Sequence, residues 1–188
     1  MLTIRQMEYQ LPELPDLPPA MMRRLGALLG LASQAAQEAG NHALAPLGLS
    51  VKHFAVLTFL RQQPRRPPRA HHQRVIEADR SSEASSFSQQ AIGERLRIDR
   101  TTMVTVIDDL ERAGLVRRER NAEDRRAYVI KLTPQGARMQ ARAEKSLDAL
   151  MNDHYLAPLS EAERQTLAEL LTRLVERPEQ SRGSSTSG

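Results

Sequence analysis

Two runs of arginine carry the strongest chemistry in this sequence. Arg61, Arg65, Arg66, Arg69 and Arg74 follow one another with no acid among them, and Arg117, Arg118, Arg120, Arg125 and Arg126 form a second run. A guanidinium group is a planar, permanently charged fork of donors, and several together suit a phosphate backbone. Solvation alone is the competing account, and it fits the first run better than the second. The net charge of +4 is modest, so the clustering says more than the total. Other chemistries find no support. The sequence has no cysteine, which excludes disulfides, thiolate-bound zinc and thiol redox sensing. No nucleophile elbow, phosphate loop, zinc-protease motif or dinucleotide fingerprint occurs. His71 and His72 are adjacent in a polar stretch, with no further ligands at helical spacing. No enzyme activity, cofactor or metal site is therefore expected.

The elements that must position the second run lie in residues 88–133. Ser88 is a good N-cap, with Phe87 placed to staple onto Ile92. No capping box is expected there, because Ala91 stands where Glu or Gln would. Asp99 caps the next helix, expected over 100–113. In it Met103, Val106, Ile107 and Leu110 recur at i, i+3, i+4, i+7 and make one buried face. Gly114 suits the left-handed residue that ends a helix. Two strands are expected over 115–120 and 127–133, around a polar tip at 121–124. Tyr128, Ile130 and Leu132 alternate with Val129 and Lys131, as in a half-buried strand. Helix, turn, helix and two-stranded wing is the order of a winged helix-turn-helix, whose second helix is built to enter the DNA major groove.

The 188 residues allow one good-sized domain, or a small one with oligomerisation helices. Residues 1–18 are proline-rich and read as an extended arm. Helices over 19–46 and 134–176 are expected to form a dimer. The first carries an apolar stripe of Leu25, Leu28, Leu29, Ala32, Ala35, Ala36 and Ala39, and the last carries Leu167, Leu170, Leu171 and Leu174. Between them, 47–133 is the DNA-binding lobe. It opens with a helix capped by Ser50, with Leu49 able to staple onto Phe54, and contains a basic insertion at 63–86 that is long for a connection. Thr133-Pro134 starts the helix after the wing, running to about 155, and Ser160 with Glu163 forms a capping box. Residues 177–188 read as a disordered tail. The expected fold class is mainly α with a small β-wing: a winged helix-turn-helix flanked by N- and C-terminal dimerisation helices. A homodimer is favoured over a monomeric core, since readers of DNA half-sites usually work in pairs. No apolar run approaches the ~20 residues of a membrane span, and the N-terminus lacks a signal-peptide pattern, so a soluble cytoplasmic protein is expected.

These residues resemble the MarR family of bacterial transcriptional regulators, over roughly 20–176. The most specific part is Asp124-Arg125-Arg126 followed by Leu132-Thr133 and Gly136, similar to the family's D-x-R wing leading into L-T-x-x-G. The run from Asp99 to Val104, then Leu110-Glu111 and Gly114-Leu115-Val116, resembles its recognition helix. The resemblance implies a triangular dimer with terminal helices at the apex. It implies a repressor or activator of transcription relieved by a small ligand, often an aromatic or phenolic anion. It assigns Arg126 to the minor groove of double-stranded DNA, with Asp124 orienting it; an arginine so held loses less freedom on insertion. The ligand cleft it implies would be lined by His42, His53, Phe54, Leu57 and Met139, with His53 the polar handle; a structural histidine is the simpler alternative.

With the stripe of the recognition helix turned inward, its outward positions are Arg100, Thr101, Val104, Thr105 and Asp108. Val104 departs from the polar or basic residues of relatives. Either it or the Thr105 methyl is expected against a thymine methyl, unless Val104 simply widens the core stripe. Gln89, Gln90, Arg97, Arg100 and Thr101 are candidates for phosphate contacts, and Arg118, Arg120 and Arg125 extend the DNA-binding set into the wing. Asp108 is expected to pair with Arg112 along the helix. The basic insertion is expected either to add non-specific affinity or to act as a spacer. A dimer reading a pseudo-palindromic operator follows, with an architectural winged-helix protein of little sequence preference as the alternative.

Overall fold

A computed structural model of the chain describes residues 24–62, 87–121 and 128–176. The proposed arm, the basic insertion, the C-terminal tail and the wing-tip residues Asp124, Arg125 and Arg126 lie outside the described residues.

Helix α1 spans Leu25–Leu44 and runs into a short 3-10 turn, Ala45–Leu47. Helix α2, Val51–Arg61, follows, then α3, Gln89–Leu96, and α4, Arg100–Arg112. Strands β1, Val116–Arg120, and β2, Tyr128–Leu132, pair antiparallel with Arg118 opposite Ile130. Helix α5, Pro134–Leu150, continues into a π turn, Met151–Tyr155, before α6, Glu161–Val175. The described residues are thus mainly helical with one small two-stranded sheet, as the patterning predicts. The helix after the wing is α-helical only to Leu150. Over the next residues the ladder widens, and the Tyr155 hydroxyl donates to the Ala32 carbonyl at 2.6 Å, tying the turn to α1.

Local chemistry sets most of these boundaries. Ser50, Ser88, Asp99, Thr133 and Ser160 are the N-caps, each accepting a backbone N–H three residues on. Gly114 sits at φ 70°, the left-handed conformation that ends α4. The inward stripe of α4 is the centre of the core. Met103, Val106, Ile107 and Leu110 are all buried, among Val56, Leu57 and Leu60 of α2, Ile92 of α3, and Leu115, Val116 and Ile130 of the wing root. Phe87 turns its ring toward Phe59, with centroids 6.4 Å apart, and its carbonyl accepts the Ile130 N–H at 2.9 Å, so the lead into α3 covers the outer edge of β2.

The wing root is joined to α5 by the Leu132-Thr133-x-x-Gly136 segment. Thr133 caps α5 by accepting the Gly136 N–H at 2.9 Å, and its hydroxyl faces the Gly114 and Leu115 carbonyls at 2.8 and 3.1 Å. Gly136 lies so close to the Leu115 carbonyl that a Cβ would stand 2.0 Å from that oxygen.

The two outer helices are different. The expected stripe of α1 is buried only toward its end, at Ala39, and Leu25 is 70% exposed. Helix α6 has no buried residue, and Leu170 and Leu174 are 49% and 52% exposed. It is held at its start by Arg164, whose Nε donates toward the Leu156 and Leu159 carbonyls at 3.1 and 3.0 Å. Among the described residues no single helix is long and apolar enough to cross a membrane.

Candidate nucleic-acid interface

The outward face of α4 is formed as its periodicity predicts. Arg100, Thr101, Val104 and Thr105 are exposed and Asp108 is half-buried, while the opposite face fills the core. Val104 is 41% exposed, so it stands on the outward face and does not widen the core stripe. The Thr105 hydroxyl donates to the Thr101 carbonyl at 3.4 Å. Asp99, exposed at the helix start, caps the Thr102 N–H at 2.9 Å, and its hydrogen bonds from Thr102 hold its carboxyl below the ordinary range.

Arg97 adopts φ 52° and ψ 38°, the left-handed region normally left to glycine. That conformation lets the Ile98 N–H reach the Gly93 carbonyl at 2.9 Å and closes α3. It also leaves an exposed guanidinium immediately before the reading helix. Replacing Arg97 with glycine should remove the backbone strain and raise stability by about 0.5–1 kcal/mol, moving Tm up by roughly 1–4 °C. A thermal melt showing a lower Tm would contradict the left-handed turn.

The wing arginines divide by their partners. Arg117 pairs with Glu119 at 2.6 Å, and Lys131 reaches the other Glu119 oxygen at 2.6 Å; the hydrogen bond from Lys131, with Arg117 adding to it, holds the Glu119 carboxyl low. Arg118 turns inward, to Asp108 and Glu111 of α4 and to Gln89 of α3. Arg120 is exposed, without an ion pair among the described residues, opposite Tyr128, which is 49% exposed. In the alternating strand Ile130 is the buried residue, while Tyr128, at the start of β2, is exposed. The expected Asp108–Arg112 pair is corrected. Arg112 pairs instead with Asp109 at 2.8 Å, because Asp108 faces β1 and meets Arg118 there. Gln90 donates to Glu94 at 2.9 Å, along its own helix.

Of the residues named for a ligand cleft, Leu57 is wholly buried in the core, Phe54 and Met139 pack against that core, and His42 is half-buried. His53 has a part that its position did not reveal. Its Nδ1 accepts the Ser50 N–H at 3.1 Å and lies 2.8 Å from the Ser50 hydroxyl, completing a capping box usually made by Glu or Gln. That bond places the proton of the neutral ring on Nε2, 3.7 Å from Asp109 of α4. Burial pushes the His53 pKa below its ordinary 6.5, with Asp109 opposing the shift in part. At pH above about 6.5 the ring is neutral folded and unfolded. Below that the unfolded chain binds more protons, so stability should fall as pH drops toward the folded pKa and then level off. Urea unfolding between about pH 7 and pH 5.5 should show this slope, flattened in His53→Asn. Parallel curves for the two proteins would rule His53 out as its source.

Buried Gln140 of α5 joins the same region from the other side. It donates to Thr58 Oγ1 at 3.1 Å and accepts from Arg61, linking α2 to α5.

An amphipathic helix-turn-helix with its second helix bared on one face, backed by a two-stranded wing, defines the class of winged-helix DNA-binding proteins. The MarR family model matches residues 82–128. It is 40% identical over 88 residues to a proposed transcriptional regulatory protein for the hcr operon of Thauera aromatica, covering 47% of this chain and 52% of that one. The chain spans about half the length of the curated relatives it matches. A solved structure of the transcriptional repressor CouR bound to a 23-mer DNA duplex superposes with a TM-score of 0.67 at 27% identity, over 86% of this chain and 100% of that one. CouR bound to p-coumaroyl-CoA gives a TM-score of 0.65 at 25% identity, over 87% and 100%.

Proposed function

We propose that this chain is a sequence-specific transcriptional regulator that works as a homodimer on a pseudo-palindromic operator, repressing until a small aromatic ligand releases it. The observation that carries this reading is the bared face of α4, where Arg100, Thr101, Val104 and Thr105 stand exposed above a fully packed stripe. A helix N-terminus with a free arginine draws phosphate, and apolar Val104 beside the Thr105 methyl suits a thymine methyl. Arg97, Arg100 and Arg120 are exposed cations for the backbone, with Gln90 and Thr101 beside them. Arg125 and Arg126 of the wing belong to the same set, Arg126 for the minor groove with Asp124 orienting it. Arg65, Arg66, Arg69 and Arg74 add sequence-independent affinity, so removing residues 65–84 should flatten the salt dependence of binding. The uncovered leucines of α1 and α6 supply the dimer contact. The ligand class follows the CouR complex with p-coumaroyl-CoA, and the α2–α5 region holding Phe54, Met139 and His42 is its proposed site.

The test is selection of bound duplexes from a random pool, repeated with phenolic acids and p-coumaroyl-CoA. Recovery of one two-fold-related motif, released by a ligand, supports the proposal. Diffuse, salt-sensitive binding with no motif would replace it with the architectural alternative.

A further inference from the structure

We infer that Arg118 is a positioning residue that fixes the wing against the recognition helix, and that its pairing with Asp108 and Glu111 sets sequence discrimination without contacting DNA. The inference rests on the DNA-binding reading above. Three elements meet at this one guanidinium. Glu111 of α4 accepts the Arg118 backbone N–H at 2.9 Å and also its Nη1; Asp108, one turn earlier, accepts from Nη2; and Gln89 Oε1 of α3 lies 3.3 Å from the same nitrogen. The backbone bond matters as much as the side chain. Arg118 stands opposite Ile130, with its N–H turned out of the sheet, and Glu111 satisfies that edge group. With both terminal nitrogens taken, the guanidinium has little left to offer a phosphate. Its side chain is 27% exposed, against 62% for Arg117. Burial works against the charge, but the hydrogen bonds and charges of Asp108 and Glu111 outweigh it and raise the Arg118 pKa, so it stays charged throughout.

The geometry has two consequences for recognition. The reading helix and the wing are to occupy neighbouring grooves, so the angle between α4 and β1 decides whether both fit at once. In addition, Asp108 lies at the end of the outward face of α4, where a bare carboxylate would repel phosphate; Arg118 neutralises it. Lysine would keep the charge but cannot bridge two carboxylates with a planar fork.

The test compares wild type, Arg118→Lys, Arg118→Gln and Asp108→Asn by fluorescence anisotropy over a range of salt. The probes are a duplex that wild type recovers from the random pool and a scrambled duplex of the same composition. For Arg118→Lys and Asp108→Asn the ratio of selected to scrambled affinity should fall about 10-fold or more, comparable to the loss from a mismatched base pair. For Arg118→Lys, which keeps the charge, binding to the scrambled duplex should stay near wild type with an unchanged salt slope. Retained discrimination in Arg118→Lys, with Arg118→Gln weakening both duplexes equally and losing about 0.9 of slope, would make Arg118 an ordinary phosphate contact and overturn the inference. Retained discrimination in all variants would overturn it as well. If Arg118→Gln does not fold, Arg118→Lys and Asp108→Asn decide. If wild type enriches no sequence, the DNA-binding reading itself fails, and amide exchange of β1 decides for the positioning role: protection unchanged in Arg118→Lys would refute it.

Discussion

Replacing Gly136 with alanine should destabilise the protein by about 3 kcal/mol or more, at the upper end for overpacking, and lower Tm by roughly 6–12 °C. The added Cβ would stand 2.0 Å from the Leu115 carbonyl oxygen, 2.9 Å from its carbon and 2.8 Å from Leu132 Cδ1. The first two are backbone atoms, so no rotamer relieves the clash. The Leu115 oxygen cannot retreat freely either, since it accepts the Thr133 N–H at 3.1 Å while the Thr133 hydroxyl stands at the same distance. The start of α5 and the root of β1 would have to separate. Gly114→Ala is the informative control. Its Cβ would meet only Gln135 Oε1 at 3.6 Å, so its cost is confined to the left-handed φ, about 1–2 kcal/mol. Thermal melts of the two variants would sink this account if Gly136→Ala melted as high as Gly114→Ala. The same contact explains why a glycine follows Leu132-Thr133 at this spacing: the threonine hydroxyl draws the two segments together, and only a residue without a side chain fits between them.

Introducing aspartate at Leu170 and Leu174 together should convert the proposed homodimer to a monomer. Helix α6 is 15 residues long with no buried residue, and an isolated helix of that length is marginal in water. Leu167, Leu170, Leu171 and Leu174 form one apolar face, and the uncovered leucines of α1 provide a second. In a two-fold dimer each substitution counts twice. Two leucines on each protomer, at about 1.5–3 kcal/mol apiece, make roughly 6–12 kcal/mol of burial. Even the lower figure is on the order of a 10⁴-fold weaker dimer. Sedimentation equilibrium at micromolar protein should show the monomer mass, with reduced helical circular dichroism as α6 loses its cover. Affinity for the selected two-half-site duplex should fall with it, while the winged lobe, whose core contains neither leucine, stays folded. A double variant that still sediments as a dimer would remove these helices from the interface.

The elements of this protein were legible because the forces that bound them are local. A serine, threonine or aspartate cap acts on an N–H three residues away, and the stripe on α4 follows from 3.6 residues per turn; caps, stripe, left-handed Gly114 and strand limits were readable to within a residue or so. The limits of local reading show at particular residues. His53 closes the box on Ser50 although the rule looks for Glu or Gln there, because any acceptor at the right height can serve. Arg97 occupies a left-handed turn that composition would assign to glycine.

Partner choice is where tertiary structure took over. Asp108 and Asp109 are neighbours in sequence with similar chances of pairing along the helix. Folding brought β1 against one and left the other to Arg112. Arg117, Arg118 and Arg120 look alike in a charge run. The two-residue repeat of the strand put Arg118 and Arg120 on one face, and only the position of α4 distinguished the inward arginine from the exposed one. A sequence lists which charges are present and how they recur. Which of them are spent on each other, and which are left for a phosphate, depends on contacts between residues far apart in the chain.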